Sequence, residues 1–464
     1  MLNQLGIFSG KVAGAASRMM GRNGENIPGH VATKFDKQAL TKLASQVDHI
    51  ILITGTNGKT TVSNLVGSVM KGVEPFYVNN LDGSNMIQGI LSSFIKKTTL
   101  AGHIKASYAI LEVDEASLIR VLDYLTPDLI CITNFFRDQL DRYAEIDALI
   151  QKLLDAIDPV DTKLLINSDD PFSYRFSQLG KVTHFFGCHE GAYDFEHSTM
   201  HDSKFCTCQR EFHYDFVHYG QLGAYSCECG VKRPEPDFAV KKITTDTGFS
   251  IYTNDGNYHT SLKGAYNAYN VMAAVAICKL MGIEDDLIQQ GISSFHVLNG
   301  RMQTMYVNNV PYVINLVKNP QGMNSTLSTV VSEEAEKQVV FFLSDGSADG
   351  TDVSWIYDAD FEKLATENIK KIIISGRRAY DLAIRLKHAG INPAIMEIDQ
   401  DVAAAVMKST ALNIPTFIIP NYTNLAPVLK VIGENDDIFQ APNGAEAIGQ
   451  VPLRTRGILK WKRN

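Results

Sequence analysis

Apolar positions in this chain follow two alternating rhythms. HIILIT (49–54), SYAILEV (107–113), DLICIT (128–133) and KLLINS (163–168) are short, nearly continuous apolar runs. That is the pattern of strands buried on both faces. Segments with helical spacing lie among them, such as TVSNLVGSVM (61–70) and Glu145–Ile157. Strands alternating with helices predict a doubly wound parallel sheet, an α/β fold. The rhythm breaks over 196–236, which is rich in Cys, His and Tyr and reads as a small inserted module. It resumes with NAYNVMAAVAICKLMG (267–282), an Ala-rich helix ended by Gly282. A second α/β pattern follows Gly300–Arg301, with strands expected at PYVINLV (311–317), QVVFFLSD (338–345), KKIIISG (370–376) and PTFIIP (415–420). The domains expected are therefore an N-terminal arm (1–48), a central α/β domain (49–299) carrying the insert, and a C-terminal Rossmann-like α/β domain (300–464). In the arm, Val12, Ala15, Ala16, Met19 and Met20 share a helical spacing, with Lys11, Arg18 and Arg22 around them. A small helix packed on the main body is the expectation, ahead of a role at a membrane surface.

Composition narrows the partners. The 464 residues carry 43 Lys and Arg against 51 Asp and Glu, a net charge of −8. An acidic chain is a poor binder of polyanions, so no nucleic acid partner is expected. No apolar run approaches the roughly 18 residues of a membrane span. The start, MLNQLGIFSGKVAG, has no charged segment ahead of a long apolar one, so a cytoplasmic protein is expected. The tail, LRTRGILKWKRN, is basic and reads as a solvated end.

The strongest chemical signal is Thr54-Gly55-Thr56-Asn57-Gly58-Lys59-Thr60-Thr61, between a predicted strand and a predicted helix. Small residues there let backbone N–H groups close around phosphate oxygens at a helix N-terminus. Lys59 would reach the outer phosphates and the Thr60 hydroxyl would hold Mg²⁺. The match to G-x-x-x-x-G-K-[ST] is imperfect, because residue 53 is Ile and the first glycine falls at 55. A second signal is Cys206-x-Cys208 with Cys227-x-Cys229. Four thiolates suit a closed, structural Zn²⁺ site, although C-x-C is tighter than the usual C-x-x-C knuckle. His213 and His218 are candidates to replace one thiolate. Cys131, Cys188 and Cys278 lie in apolar settings and read as inert core thiols.

T-G-T-N-G-K-T-T resembles the ATP-binding loop of the Mur ligase and folylpolyglutamate synthetase superfamily, whose members make amide bonds through an acyl phosphate. The resemblance continues in order along the chain. Glu112 in LEVDEA matches the superfamily's Mg²⁺-binding glutamate. Ile132-Thr133-Asn134 with Asp138-Gln139-Leu140-Asp141-Arg142 resembles its T-N-x-x-x-D-H-L-D segment, and Asn167-Ser168-Asp169-Asp170-Pro171 its N-x-D-D-P. Gly264-Ala265-Tyr266-Asn267-Ala268-Tyr269-Asn270 resembles G-x-H-N-x-x-N, with Tyr266 in place of His. The resemblance implies that Asn267 and Asn270 contact ATP. Gly300-Arg301-Met302-Gln303 resembles G-R-x-E, whose Arg reaches ATP.

The departures point to one branch. Only about 50 residues precede the loop, too few for the UDP-binding domain of the amino-acid-adding ligases. The D-Y-A-H-x-P segment is replaced by Asn315-Leu316-Val317-Lys318-Asn319-Pro320. Ala348-Asp349-Gly350-Thr351-Asp352-Val353-Ser354-Trp355 forms an A-D-G-x-D-x-S-W pattern. Together with the cysteine module, these features resemble the ligase-like subunits of lipid II isoglutaminyl synthase. The resemblance implies ATP- and Mg²⁺-dependent amidation of the D-isoglutamate α-carboxylate in the lipid II stem peptide, at the inner face of the cell membrane. Ammonia would come from a glutaminase subunit resembling GatD, in a heterodimer. It implies catalytic roles for Lys59 and for an aspartate of the last motif, Asp352 favoured over Asp349. That aspartate would either complete the partner's Cys–His site or position ammonia. The alternative within the class is a ligase that adds an amino acid to a peptidoglycan precursor.

Overall fold

The computed structural model describes residues 2–19, 26–80, 85–99, 101–136, 146–193, 203–244, 249–254, 256–262, 264, 266–295, 301–346 and 349–440. Asp138–Arg142, Ala265, Gly300, Ala348 and the basic tail lie outside them.

The arm is helical: α1 (Leu2–Met19), α2 (Ile27–Phe35) and α3 (Ala39–Ala44). The central region then runs β1 (His49–Thr54), α4 (Lys59–Val73), β2 (Val78–Asn79), α5 (Ile87–Lys97), β3 (Tyr108–Glu112), α6 (Glu115–Val121), β4 (Leu129–Ile132), α7 (Ile146–Ile157), β5 (Lys163–Asn167), α8 (Pro171–Tyr174) and β6 (Thr183–Cys188). After it come β7 (His213–Tyr219), β8 (Leu222–Ser226), β9 (Phe238–Thr244), β10 (Phe249–Thr253), β11 (Asn257–Thr260), α9 (Asn267–Leu280) and α10 (Asp285–Ser293). The last region comprises β12 (Arg301–Val307), β13 (Val310–Asn315), α11 (Pro320–Ser332), β14 (Lys337–Phe342), β15 (Ile369–Ser375), α12 (Ala379–His388), β16 (Met396–Ile398), α13 (Val402–Ser409), β17 (Thr416–Pro420) and α14 (Tyr422–Glu434).

A nine-stranded sheet has the order β11-β10-β9-β6-β5-β4-β1-β3-β2. It is parallel from β2 to β9, with β10 and β11 antiparallel at the edge. Period-two alternation sends Ile51 and Ile53 of β1 into one apolar layer with α4 and α9. Ile50 and Leu52 enter the opposite layer with α3, α5 and α7. Both faces are covered, which is why the strands read as unbroken apolar runs. β1 lies between β3 and β4, so the chain crosses over in both directions from it and opens a crevice at its carboxyl end. The second sheet, β12-β13-β17-β14-β15-β16, is parallel apart from the β12–β13 hairpin. Val339 and Phe341 face one layer, Val340 and Phe342 the other. β7 and β8 form a separate antiparallel hairpin. Among the described residues, no helix is long and apolar enough to cross a membrane.

Candidate active site

The loop Gly55–Gly58 fills the crevice between β1 and α4. Gly55 and Gly58 have φ of 120° and 90°, which side chains rarely adopt. A Cβ on Gly55 would fall 2.4 Å from Thr133 Oγ1, and one on Gly58 would fall 2.1 Å from Asn270 Oδ1. The loop is therefore built on glycine in both conformation and space. The segment after β4 buttresses it. Thr56 N donates to Asn134 O at 2.8 Å and Asn57 N to Asn134 Oδ1 at 3.0 Å. Thr133 Oγ1 donates to Asn57 O at 2.7 Å, and Phe136 N to Thr56 Oγ1 at 3.1 Å. The T-N pair of the sequence motif is thus the support that shapes the loop.

Lys59 opens α4 and is buried. Its Nζ donates to Gly55 O and reaches Glu115 Oε2 at 3.1 Å. Glu115 starts α6, three residues beyond Glu112 in the same LEVDEA segment, where the motif assigns a role to Glu112 alone. Burial pushes its carboxyl above the usual range, with the Lys59 charge opposing this. Glu112 is buried at the end of β3, directly opposite Ile53. Its Oε1 accepts from Asn85 Nδ2 at 3.3 Å. Glu112 thus ends the strand beside the one that enters the loop, while the carboxylate paired with Lys59 is that of Glu115. Thr60 and Thr61 follow in the first turn of α4.

Asn267 and Asn270 lie on the first turn of α9, joined by an Asn270 Nδ2 to Asn267 Oδ1 bond of 2.7 Å. Asn270 rests on Gly58, so the Ala-rich helix delivers it to the loop. Arg301 opens β12, with its backbone alone described. Asn315 does not face the loop. Its side chain accepts from Met302 N at 3.0 Å and donates to Thr326 Oγ1 at 2.7 Å. The loop contact falls instead to Asn319, whose Nδ2 donates to Asn57 Oδ1 at 3.1 Å while its Oδ1 caps α11. The charge of the neighbouring Lys318 is felt at Glu115. The second sheet's helix α11 thus meets the loop, a juxtaposition that spacing alone does not reveal.

The segment after β5 makes a buried hub. Asp169 Oδ1 accepts from Arg233 Nε at 2.7 Å, and Oδ2 from Tyr269 OH at 2.7 Å and Cys188 N at 3.0 Å. His218 Nδ1 lies 2.6 Å from the Tyr269 hydroxyl. Burial pushes this carboxyl up, but His218, Arg233 and Tyr269 outweigh it and hold Asp169 at about 2. Asp170, by contrast, caps α8 and is pushed up to about 6 by burial.

The four cysteines of the insert come together. Cys206 and Cys229 sulfurs are 3.6 Å apart, and those of Cys208 and Cys227 3.5 Å. All four lie within 4.8 Å of one another. These distances exceed the roughly 2.05 Å of a disulfide and approach the roughly 3.8 Å edge of a zinc–thiolate tetrahedron. Each C-x-C sits in a matching turn: Cys206 N donates to Arg210 O and Cys227 N to Val231 O, both at 2.8 Å. Gln209 and Gly230 close the turns with positive φ. The backbone N–H of Val231, with the neighbouring thiols, draws the Cys229 thiol down to about 7. His213 and His218 stand outside the set: His213 pairs with Asp215 and His218 belongs to the hub. Cys131, Cys188 and Cys278 are buried, and burial raises all three.

Asp349 and Asp352, neighbours in one motif, differ in place. Asp349 is buried, and its two oxygens accept from Tyr422 N at 2.7 Å and Thr423 N at 2.9 Å. It caps α14 from a distant loop. Asp352 is exposed and accepts from Ser354 N at 2.8 Å. Its backbone and side-chain bonds with Ser354 hold the carboxyl below its usual range.

Comparison with known proteins agrees with this architecture. The Mur ligase middle domain family matches residues 53–278, and the MurT ligase C-terminal family matches residues 316–425. The pseudomurein peptide ligase type C of Methanothermus fervidus superposes with a TM-score of 0.65 at 20% identity, over 83% of this chain and 79% of that one. MurF of Acinetobacter baumannii superposes with a TM-score of 0.61 at 15% identity, over 87% and 80%. These two share the fold. The MurT subunit of lipid II isoglutaminyl synthase (glutamine-hydrolyzing) from Staphylococcus aureus is 41% identical over 430 residues, 92% of this chain and 97% of that one. Its namesake from Streptococcus pneumoniae is 36% identical over 391 residues, 83% and 87% of the two chains. With identity of this extent across both sheets, the chain belongs to the MurT family of lipid II isoglutaminyl synthase subunits.

Proposed function

We propose that this chain is the ligase half of a two-subunit amidotransferase, converting the D-isoglutamate α-carboxylate of the lipid II stem peptide to D-isoglutamine with ATP and ammonia. The observation that carries this reading is the glycine-built loop closed by Asn270 on one side and Asn319 on the other, with buried Lys59 beneath it. In the first step the γ-phosphoryl group passes from ATP to a carboxylate oxygen, and ADP is released. Ammonia then attacks the acyl carbon, the bond from that carbon to the phosphorylated oxygen breaks, phosphate leaves, and nitrogen gives a proton to solvent. Lys59 and the loop N–H groups stabilise the transferring charge. Asn267, Asn270 and Arg301 orient the nucleotide. Thr60 and Glu112 suit a magnesium ion, which would neutralise the phosphate oxygens. We place the work in a central domain over 49–299 and a C-terminal domain over 300–464, preceded by the 1–48 arm, in a cytoplasmic enzyme.

The test separates ammonia from its source. The isolated chain should amidate lipid II with a high ammonium concentration and fail with glutamine. Adding a glutaminase subunit should restore glutamine use. Glutamine-driven amidation by the isolated chain, or addition of an amino acid instead of ammonia, would overturn the reading.

The insert is proposed to hold a structural zinc ion through Cys206, Cys208, Cys227 and Cys229. Four protein ligands leave no open position, so the ion would stabilise a module with little core of its own. About one zinc per chain should be found by metal analysis. Cys206→Ser with Cys208→Ser should remove it and lower the unfolding temperature. A metal-free protein of undiminished stability would exclude the site.

A further inference from the structure

The arm helix α1 is turned the opposite way from an ordinary surface helix. Its small residues Gly6, Gly10, Gly14 and Ser17, with Ile7, are buried. Gly10 approaches α2 so closely that a Cβ would fall 2.7 Å from Pro28 O, and one on Gly6 would fall 3.1 Å from Phe35 Cβ. The large apolar residues point away. Leu5 is 49% exposed, Phe8 52%, Val12 52% and Met19 89%. Spacings of three, four and seven keep them on one stripe, and Phe35, 43% exposed, extends it. A helix facing only water would bury these side chains and expose the glycines.

The charge around this stripe says what covers it. The chain as a whole is acidic, with 51 carboxylates against 43 cations. From Met1 to Phe35 the sole carboxylate is Glu25, and from Met86 to Ser107 there is none. The second stretch lies beside α1, since Lys11 Nζ donates to Thr98 O and Ile7 Cδ1 touches the Gly102 site. Lys34, Lys96 and Lys105 are exposed on these two stretches. An apolar stripe within a locally cationic region of an acidic protein fits an anionic lipid surface. The arm is fixed to the body on both sides: α1 meets Thr98 and Gly102 after α5, and α2 packs through Gly29 against Gln88 and Ser92 of α5.

We infer that α1 lies on the anionic membrane surface, with Leu5, Phe8, Val12 and Met19 in the headgroup boundary. The inference deepens the lipid II reading, but its readout is vesicle binding and needs no activity. The full chain, with its glutaminase subunit where one is required for solubility, is floated with phosphatidylcholine vesicles and with vesicles that also contain phosphatidylglycerol. Binding should require phosphatidylglycerol and weaken as salt is raised. Phe8→Ser with Val12→Ser should reduce it by about tenfold or more, with the unfolding temperature unchanged. Phe8→Trp should keep binding and give an indole emission that shifts to the blue on phosphatidylglycerol vesicles. Absence of binding at low salt, undiminished binding by the serine variant, or a solution dimer that the serine variant dissolves would overturn it. The last outcome would make the stripe a contact between copies of this chain. Failure of lipid II amidation with vesicle binding intact would leave the inference standing and remove the substrate reading alone.

Discussion

Lys59→Met abolishes ATP-dependent amidation, with an expected loss of about 10³-fold or more, because a fixed cation beside a transferring phosphoryl group contributes on that scale. The same change strikes the fold through Glu115. Removing one partner of a buried pair costs about 3–5 kcal/mol when the other keeps its charge. Glu115 has an escape, since burial already raises its carboxyl and it can take up a proton once Lys59 is gone. The sign of the pH dependence follows. Below the ordinary glutamate range the folded and unfolded chains both hold the proton, and the variant's deficit is small. The deficit grows as pH rises from that range to the raised folded value, because the unfolded chain loses a proton that the folded one retains, and it levels off above. Lys59→Met with Glu115→Gln should therefore unfold near the wild-type urea midpoint at slightly alkaline pH, and should still be inactive. Equal urea midpoints for the single and double variants would sink the coupling. Wild-type turnover in either would sink the role of Lys59.

Asp352→Asn and Asp349→Asn should fail in different assays. Asp352 is exposed, and its hydrogen bonds among those described are local ones with Ser354, so its loss should leave the fold intact. If it completes the glutaminase subunit's Cys–His site, glutamine-dependent amidation should fall by about 10⁴-fold, the scale seen when a histidine loses the carboxylate that orients it. Ammonium-dependent amidation should survive. Loss of both activities together would instead place Asp352 at the ammonia end of this chain's own site. Asp349→Asn should cost about 1 kcal/mol, because the amide has one acceptor oxygen for two N–H donors and no charge at the start of α14. Its effect on both activities should track unfolding. A stable Asp349→Asn chain that lacked glutamine-dependent activity alone would reverse the assignment.

Much of this is legible in the sequence for a physical reason. A parallel sheet covered on both faces leaves unbroken apolar runs, so HIILIT and KLLINS mark β1 and β5 almost to the residue. A phosphate loop demands glycine at fixed positions, so Gly55 and Gly58 stand out. Asn319 does not, because it is brought to Asn57 by the packing of α11 against the loop, and no local pattern records a contact 262 residues apart. Glu115 is overshadowed by Glu112 in the same short acidic stretch. Asp349 and Asp352 share one motif, and burial by a distant helix, rather than spacing, tells them apart. In the arm, the helical period is visible, but large apolar residues suggest the wrong side for the face against the body. The glycines in fact occupy that side, because α2 comes too close for anything larger.

The hub at Asp169 bears on how freely this architecture can be edited. Its carboxylate is fully enclosed, and two of the groups that hold it charged, Arg233 and His218, come from the insert, while Tyr269 comes from the helix that carries Asn270. A shortened chain lacking 196–236 would keep every strand of both large sheets and still strip Asp169 of Arg233 and His218. The insert is therefore no detachable cassette. A version trimmed for crystallisation must either supply new partners for Asp169 or replace it in the same step.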